Sequence, residues 1–321
     1  MADCRILIIT NRDDVTADAV VGELTRRAAG EVVRLDTADF PGMLTLDARL
    51  TPEGWAGNLG GVAQLNLEAV GSVWWRRPGE FHLPPEWPDD ARAFGASEAR
   101  AGLLGVIGSL PVRWINHPAA DAAANYKPRQ LAEAARCGLA VPDTVITTDP
   151  DRAREFAARH GRVVYKALGG GVAREDGRRH GVPTTLVGCD DIDEAVASTA
   201  TLLQQYVPKA FEVRLTVVGD RMFPVCIHAG TDATRLDWRT DYSALTYRTD
   251  EATPPFVARG VREFMARMGL FFGAFDFAVT PGGEWVFFEV NPSGQWYWLV
   301  RRTGVPLVQA MADALQEGIG G

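Results

Sequence analysis

The chain has 321 residues, enough for two or three domains with separate cores. Hydrophobic residues make up 46% and charged ones 23%, as in ordinary globular proteins, and the net charge of −8 argues against general nucleic-acid binding. Cys4, Cys137, Cys189 and Cys226 stand apart with no C-x-x-C spacing, which speaks against zinc and fits reduced thiols in a cytosolic protein.

Arg5 to Thr10 (RILIIT) reads as a buried strand, with no signal peptide ahead of it. A helix over Val15 to Ala28 and a strand over Val32 to Leu35 complete a βαβ opening. The loop after the first strand lacks G-x-G-x-x-G, so no dinucleotide site is expected there. Residues 44 to 70 read as short strands with glycine-rich turns. A strand at Ser72 to Pro78, a helix at Ala91 to Ile107 and a strand at Pro111 to Asn116 follow, with a boundary at His117-Pro118. A helix capped by Asn125, with Pro128 in its first turn, stops at Gly138. Val141 to Thr148 is read as a strand, Pro150 to His160 as a helix capped by Thr148 or Asp149, and Arg162 to Leu168 as a strand running into Gly169-Gly170-Gly171. Asp190 to Ala200 is read as helix and Leu202 to Tyr206 as strand or connector. A hairpin turns at Gly219-Asp220, residues 230 to 255 read as loop, and Pro255 to Met268 as helix. Residues 305 to 318 form a last helix. No stretch of about 18 apolar residues occurs, so a soluble cytoplasmic protein with no membrane partner is expected.

The segment Phe271 to Val279, a Pro281-Gly282-Gly283 turn and Trp285 to Pro292 read as a β-hairpin. A turn centred on Gly282-Gly283 places Asp276 opposite Glu289, with Asn291 one step along on the same face. Opposed carboxylates about 4.5–5.5 Å apart at Cβ repel. A cation between them relieves that, and an all-oxygen Asp/Glu/Asn set suits Mg²⁺. Lys127 lies in a first helical turn, where the macrodipole disfavours a cation unless an anion is near. Lys166 lies in an apolar strand ahead of three glycines, whose backbone amides can wrap a phosphate. Glu212 and Arg214 share one face of a strand, and Arg239 stands in a polar loop. These arginines suit phosphate, and equally well surface ion pairs.

These pieces, in this order, resemble an ATP-grasp fold. The resemblance covers about residues 119 to 319, and residues 1 to 118 fit the α/β domain that precedes it in that superfamily. It implies an α/β and α+β architecture with an N-terminal pre-ATP-grasp domain (1–118), a central ATP-grasp subdomain (119–205) and a C-terminal subdomain with the metal site (206–321). It also implies ATP and Mg²⁺. Lys127 and Lys166 would meet the phosphates, Gly169, Gly170, Gly171 and Val172 would form the loop over them, and Gln204, Gln205, Tyr206 and Val207 would form the adenine hinge. Glu212 would lie near the ribose, Arg214 and Arg239 at the transferred phosphoryl, and Asp276, Glu289 and Asn291 would be the metal residues.

Trp74-Trp75-Arg76-Arg77-Pro78, Asn125-Tyr126-Lys127, Asp237-Trp238-Arg239 and Glu289 to Trp296 (EVNPSGQW) are similar to words in the ATP-grasp ribosomal peptide maturases of the microviridin or graspetide type. That resemblance implies a ligase that activates a side-chain carboxylate as an acyl phosphate and closes ester or amide rings in a precursor peptide. The partner would be a peptide with a leader and an acidic core, and the enzyme a homodimer. Arg76, Arg77, Arg178, Arg179 and His180 could offer that peptide positive charge. His228 and Asp237 are candidate bases by position alone. Asp276→Ala is expected to abolish activity with little loss of folding. Two other readings remain: a ligase adding amino acids to a peptide, protein or small acid, and a non-catalytic nucleotide-binding regulator.

Overall fold

A computed structural model describes residues 5–61, 64–169, 172–175 and 178–318. The apolar run β1 (Arg5–Thr10) is covered on both faces, as the middle of a parallel sheet must be. Helix α1 (Val15–Arg26) starts where the Asp14 carboxylate accepts the Thr16 N–H at 3.1 Å. Then come β2 (Val32–Leu35), β3 (Leu44–Thr51), β4 (Gly54–Gly61), β5 (Leu65–Asn66), β6 (Val70–Arg77), α2 (Asp89–Gly108) and β7 (Arg113–Ile115). The order β2-β1-β6-β7 is parallel throughout, and β3-β4-β5 form a separate antiparallel sheet.

Helices α3 (Pro118–Ala124) and α4 (Lys127–Arg136) lead to a second sheet. Asn125 does not cap α4 as expected. Its amide turns back to Asp121 at the end of α3, and Tyr126 occupies the cap position with no side-chain bond. The next elements are β8 (Thr144–Thr147), α5 (Pro150–His160), β9 (Val163–Lys166), β10 (Val172–Glu175), β11 (Arg178–Gly181), β12 (Thr185–Val187) and β13 (Thr201–Gln205). Strands β12-β9-β13-β8 make an antiparallel sheet, and β10-β11 a separate hairpin. The helix expected over Asp190 to Ala200 is replaced by two short 3-10 turns, Cys189–Asp191 and Glu194–Ser198. Asp191 accepts the Gly188 N–H and Asp193 the Ala195 N–H, so local side-chain bonds compete with a continuous helix.

The last sheet has the order β16-β15-β14-β17-β18 and is antiparallel. It uses β14 (Phe211–Val218), β15 (Arg221–Ala229), β16 (Leu245–Arg248), β17 (Phe272–Val279) and β18 (Trp285–Asn291), with α6 (Asp232–Leu236), α7 (Pro255–Met268), α8 (Tyr297–Thr303) and α9 (Leu307–Glu317) around it. Residues 230 to 255 are therefore more than a loop. A Thr231–Thr234 capping box starts α6, and β16 pairs with the outer edge of β15. Val213, Leu215, Phe275 and Phe277 bury one sheet face against Val261 and Phe264 of α7. At the other end Phe272 and Ala274 join a core shared with β1, α1, α8 and α9. Asn116 ties these parts together. Its amide donates to Phe272 O and Pro292 O at 2.9 Å each, and its oxygen accepts from the Phe271 and Phe272 amides.

Candidate active site

The β17–β18 hairpin pairs Asp276 with Glu289 and Ala274 with Asn291, as its sequence suggests. Nearer the turn Phe277 pairs with Phe287, not Phe288, so Phe288 is the extra residue of a β-bulge. The bulge is a departure from the even register read from the sequence. It lets Phe288 and Glu289 line the same cleft. That cleft, about 330 Å³, lies between the central sheet and the last one and also takes in Lys127, Lys166, Lys209, Glu212, Arg239, Asp276 and Asn291.

Charge is paired across the cleft. Lys127 Nζ reaches Glu289 Oε2 at 2.6 Å. Arg214 Nη1 reaches Asp276 Oδ2 at 2.7 Å, both side chains being buried. Lys209 Nζ donates to Glu212 Oε1 at 2.6 Å, and Arg239 grips both oxygens of Asp237 at 2.8 and 2.9 Å. Arg239 Nη1 is also 3.9 Å from Glu289. Burial raises the Asp276 carboxyl despite Arg214. Burial acts the same way on Glu289, but Lys127, Arg239 and Lys166 outweigh it and hold that carboxyl low. Burial also pulls Lys166 down to about 8, with its ammonium 4.1 Å from the centre of the Phe288 ring. The Glu212 carboxyl is raised by burial, against Lys209.

Helix α4 fixes Lys127 relative to the hairpin. Gln130, one turn on, donates to Ala124 O at 2.6 Å and Val290 O at 2.9 Å, and accepts the Val290 N–H at 2.9 Å. The backbone between Glu289 and Asn291 is thus held by the helix that presents the lysine.

Asp276, Glu289 and Asn291 form a hard-oxygen donor set that fits Mg²⁺. Asn291 Nδ2 lies 3.4 Å from both Asp276 Oδ2 and Glu289 Oε1, so the three groups converge. Turning that amide over would direct its oxygen inward. Asp276 is more deeply embedded than its sequence context suggests. Asp276→Ala would leave Arg214 buried without its carboxylate, an arrangement that costs about 3–5 kcal/mol, so the expected small effect on folding is revised.

Gln205, Tyr206 and Val207 line a hollow beside Lys166 and Phe288. Gln204 turns its side chain away to Thr144 Oγ1 at 2.9 Å, leaving backbone as what it can offer there. Gly169, three residues past the end of β9, is exposed. Gly170 and Gly171 lie outside the described residues, and Val172 begins β10. The side chains of Arg178, Arg179 and His180 are likewise outside what is described. Arg76 is not available to a peptide. It is buried against Asp14, the Ser293 and Gly294 carbonyls and Gln295, while Arg77 is exposed. His228 stacks on Phe211 at 5.1 Å, on the strand face opposite Ile227, which pairs with Glu212. Asp237 is occupied by Arg239. Burial would raise its carboxyl, yet Arg239 and backbone amides depress it to about 2, unlike a general base. Lys209, Gln130 and Phe288 carry no role in the sequence reading, and Trp238 enters it only within the word Asp237-Trp238-Arg239. Gln130 sits one turn from Lys127 and Lys209 three residues before Glu212, which is the only local signal either carries.

A family model described as the MvdD pre-ATP grasp domain matches residues 5–122. Among solved structures, the macrocyclase MdnB from Microcystis aeruginosa MRC is 30% identical, with 97% of this chain and 99% of that chain covered at a TM-score of 0.80. Macrocyclase MdnC of the same organism, bound with precursor peptide MdnA, is 27% identical over 97% and 99% at 0.85. A Chryseobacterium gregarium RiPP-associated ATP-grasp ligase, in complex with ADP and a leader and core peptide, is 26% identical over 98% and 97% at 0.89. No curated protein sequence matches the chain significantly. Among the described residues no helix is long and apolar enough to cross a membrane.

Proposed function

The chain belongs to the ATP-grasp ribosomal peptide maturases, and on that premise we propose that it closes side-chain ester or amide rings in a precursor peptide carrying a leader and an acidic core. The observation that carries this reading is the opposed Asp276–Glu289 pair with Asn291, set in one cleft with Lys127, Lys166 and Arg239 and backed by the buried Arg214. A ligase that activates carboxylates must handle ATP phosphates and a developing acyl phosphate together, and this charge distribution suits both.

In the proposed reaction a peptide carboxylate oxygen takes the γ-phosphoryl group of ATP, releasing ADP. A peptide hydroxyl or amine then attacks the acyl carbon, phosphate leaves with the bonding electrons, and one proton is lost. Lys127 and Lys166 orient the phosphates. Lys127 exchanges its bond to Glu289 for a phosphate oxygen. Gln205, Tyr206 and Val207 flank the base, and Glu212, held by Lys209, meets the ribose. Arg239 lies half-exposed at the cleft and reaches the transferred group, while Arg214 acts from beneath Asp276. Mg²⁺, held by Asp276, Glu289 and Asn291, would supply charge neutralisation at the phosphate oxygens. The segment that Gly169 opens is proposed to shield the acyl phosphate from water. A homodimer is proposed with this reading, as sedimentation would check.

The test is mass spectrometry of an acidic candidate precursor after incubation with the protein, ATP and Mg²⁺. Loss of one water's mass per ring, located by fragmentation, is the expected result. A gain in mass would replace ring closure by amino-acid addition. Nucleotide binding without carboxylate-dependent ADP release would replace catalysis by regulation.

A further inference from the structure

Beside the cleft lies a surface that the reaction as described does not use. Trp238 lines the cleft next to Arg239, and its ring is 5.3 Å from that of Trp298. Tyr242, half-exposed, sits edge-on to both at 5.5 and 5.9 Å, and Tyr247 backs Trp298 at 5.6 Å. This aromatic floor ends in a hollow lined by Trp298, Arg301 and Arg302, the two arginines standing exposed in the last turn of α8. Other arginines nearby are neutralised locally: Arg239 by Asp237, Arg235 by Asp232 and Arg248 by Asp250. Among the described residues Arg301 and Arg302 have no such carboxylate partner.

We propose that Trp298, Arg301 and Arg302 form a docking surface for the acidic residues of the substrate peptide that flank the reacting one. The inference rests on the proposed function and extends it. A substrate whose carboxylates are activated is anionic, whereas a chain of net charge −8 repels anions on average. Unneutralised positive charge beside the cleft is what such a substrate requires. Arginine binds carboxylate through a planar fork, and the Trp298 ring in the same hollow offers a face to the peptide backbone. The cleft and the hollow adjoin through the contact of the buried Trp238 with the part-exposed Trp298, so one extended peptide can meet Arg239 and Arg302.

The test uses fluorescence anisotropy with two labelled peptides, one alternating Glu and Thr and the other with Gln in place of Glu. Both are titrated with the full chain in the presence of a non-hydrolysable ATP analogue and Mg²⁺. The wild type should favour the Glu peptide, and R301E/R302E should weaken that binding about tenfold or more, since attraction at two positions becomes repulsion. The charge-conserving R301K/R302K keeps the attraction and loses the planar fork, so it should bind between the wild type and R301E/R302E. Calorimetry should find the analogue's affinity equal in all three proteins. Equal binding of both peptides by the wild type, no binding of the Glu peptide, or undiminished binding by R301E/R302E would each overturn the docking surface. Failure of the proposed function itself would be seen separately, as a precursor mass that ATP and Mg²⁺ leave unchanged or raise.

Discussion

Lys166 shows how one residue's surroundings set its chemistry. Burial disfavours its ammonium and brings it to about 8, with Glu289 offsetting part of the effect. In the empty protein the unfolded chain holds a proton that the native one lacks between about 8 and the ordinary value of 10.5, so native stability rises with pH through that window. A bound phosphate reverses the balance by favouring the charged amine. Near pH 8, ATP binding is therefore expected to take up about half a proton, and affinity to weaken as pH rises further. Calorimetry at pH 8 in two buffers of unlike ionisation heat reads this directly. Wild type should show a buffer-dependent heat and Lys166→Met should not. A wild-type heat independent of buffer would remove Lys166 from the phosphates.

At the scale of elements, the hairpin depends on its neighbour. Gln130 saturates Val290 on both its N–H and its C=O, next to the bulge that brings Phe288 beside Glu289. Gln130→Leu keeps the volume but strands buried backbone groups, each costing about 1–3 kcal/mol. Urea unfolding should show a loss of about 3 kcal/mol, with nucleotide affinity falling as Lys127 and Glu289 lose their common frame. Stability within a few tenths of wild type would mean the clamp is incidental. The contrast between α5 and this hairpin also shows what a sequence can reveal. The α5 helix is bounded by local signals, the Asp149 cap and Gly161 at positive φ, and its limits were readable in advance. The Asp276–Glu289 opposition was readable because a Gly-Gly turn sets register. The bulge was not, since it is set together with a contact from outside the hairpin, Phe287 N–H to Ala140 O at 2.7 Å. Arg76 was misread for a similar reason: its partners, Asp14 and Gln295, are distant in the chain. Residues 230 to 255 read as loop because α6 is a single capped turn and β16 a four-residue strand that gains its definition only from β15.

At the scale of the molecule, the cores explain where the cleft lies. The first and last sheets are fused through one core that runs from Ile6 and Ile8 by way of Phe272 to Leu307 and Leu315, so α9 packs with the start of the chain. Ser72 Oγ donates to Leu315 O at 2.9 Å across that junction. The central sheet is different. Phe156, Val163, Ile192 and Leu203 close a core of their own, and the sheet faces the last one across a cleft where charged side chains stand among a few apolar ones such as Leu236, Trp238 and Phe288. A boundary of that kind opens at less cost than a shared core, as a nucleotide enclosed between two lobes requires. Phe156→Ala removes a ring from the central core alone and should cost it about 3 kcal/mol. If the lobe opens as a unit, hydrogen exchange at β8, β9 and β13 should accelerate by about a hundredfold while β14 and β17 keep their wild-type protection. Uniform acceleration of all five strands would show instead that the lobes unfold together, and the entry of ATP would then need a smaller, local movement of the residues around Lys166.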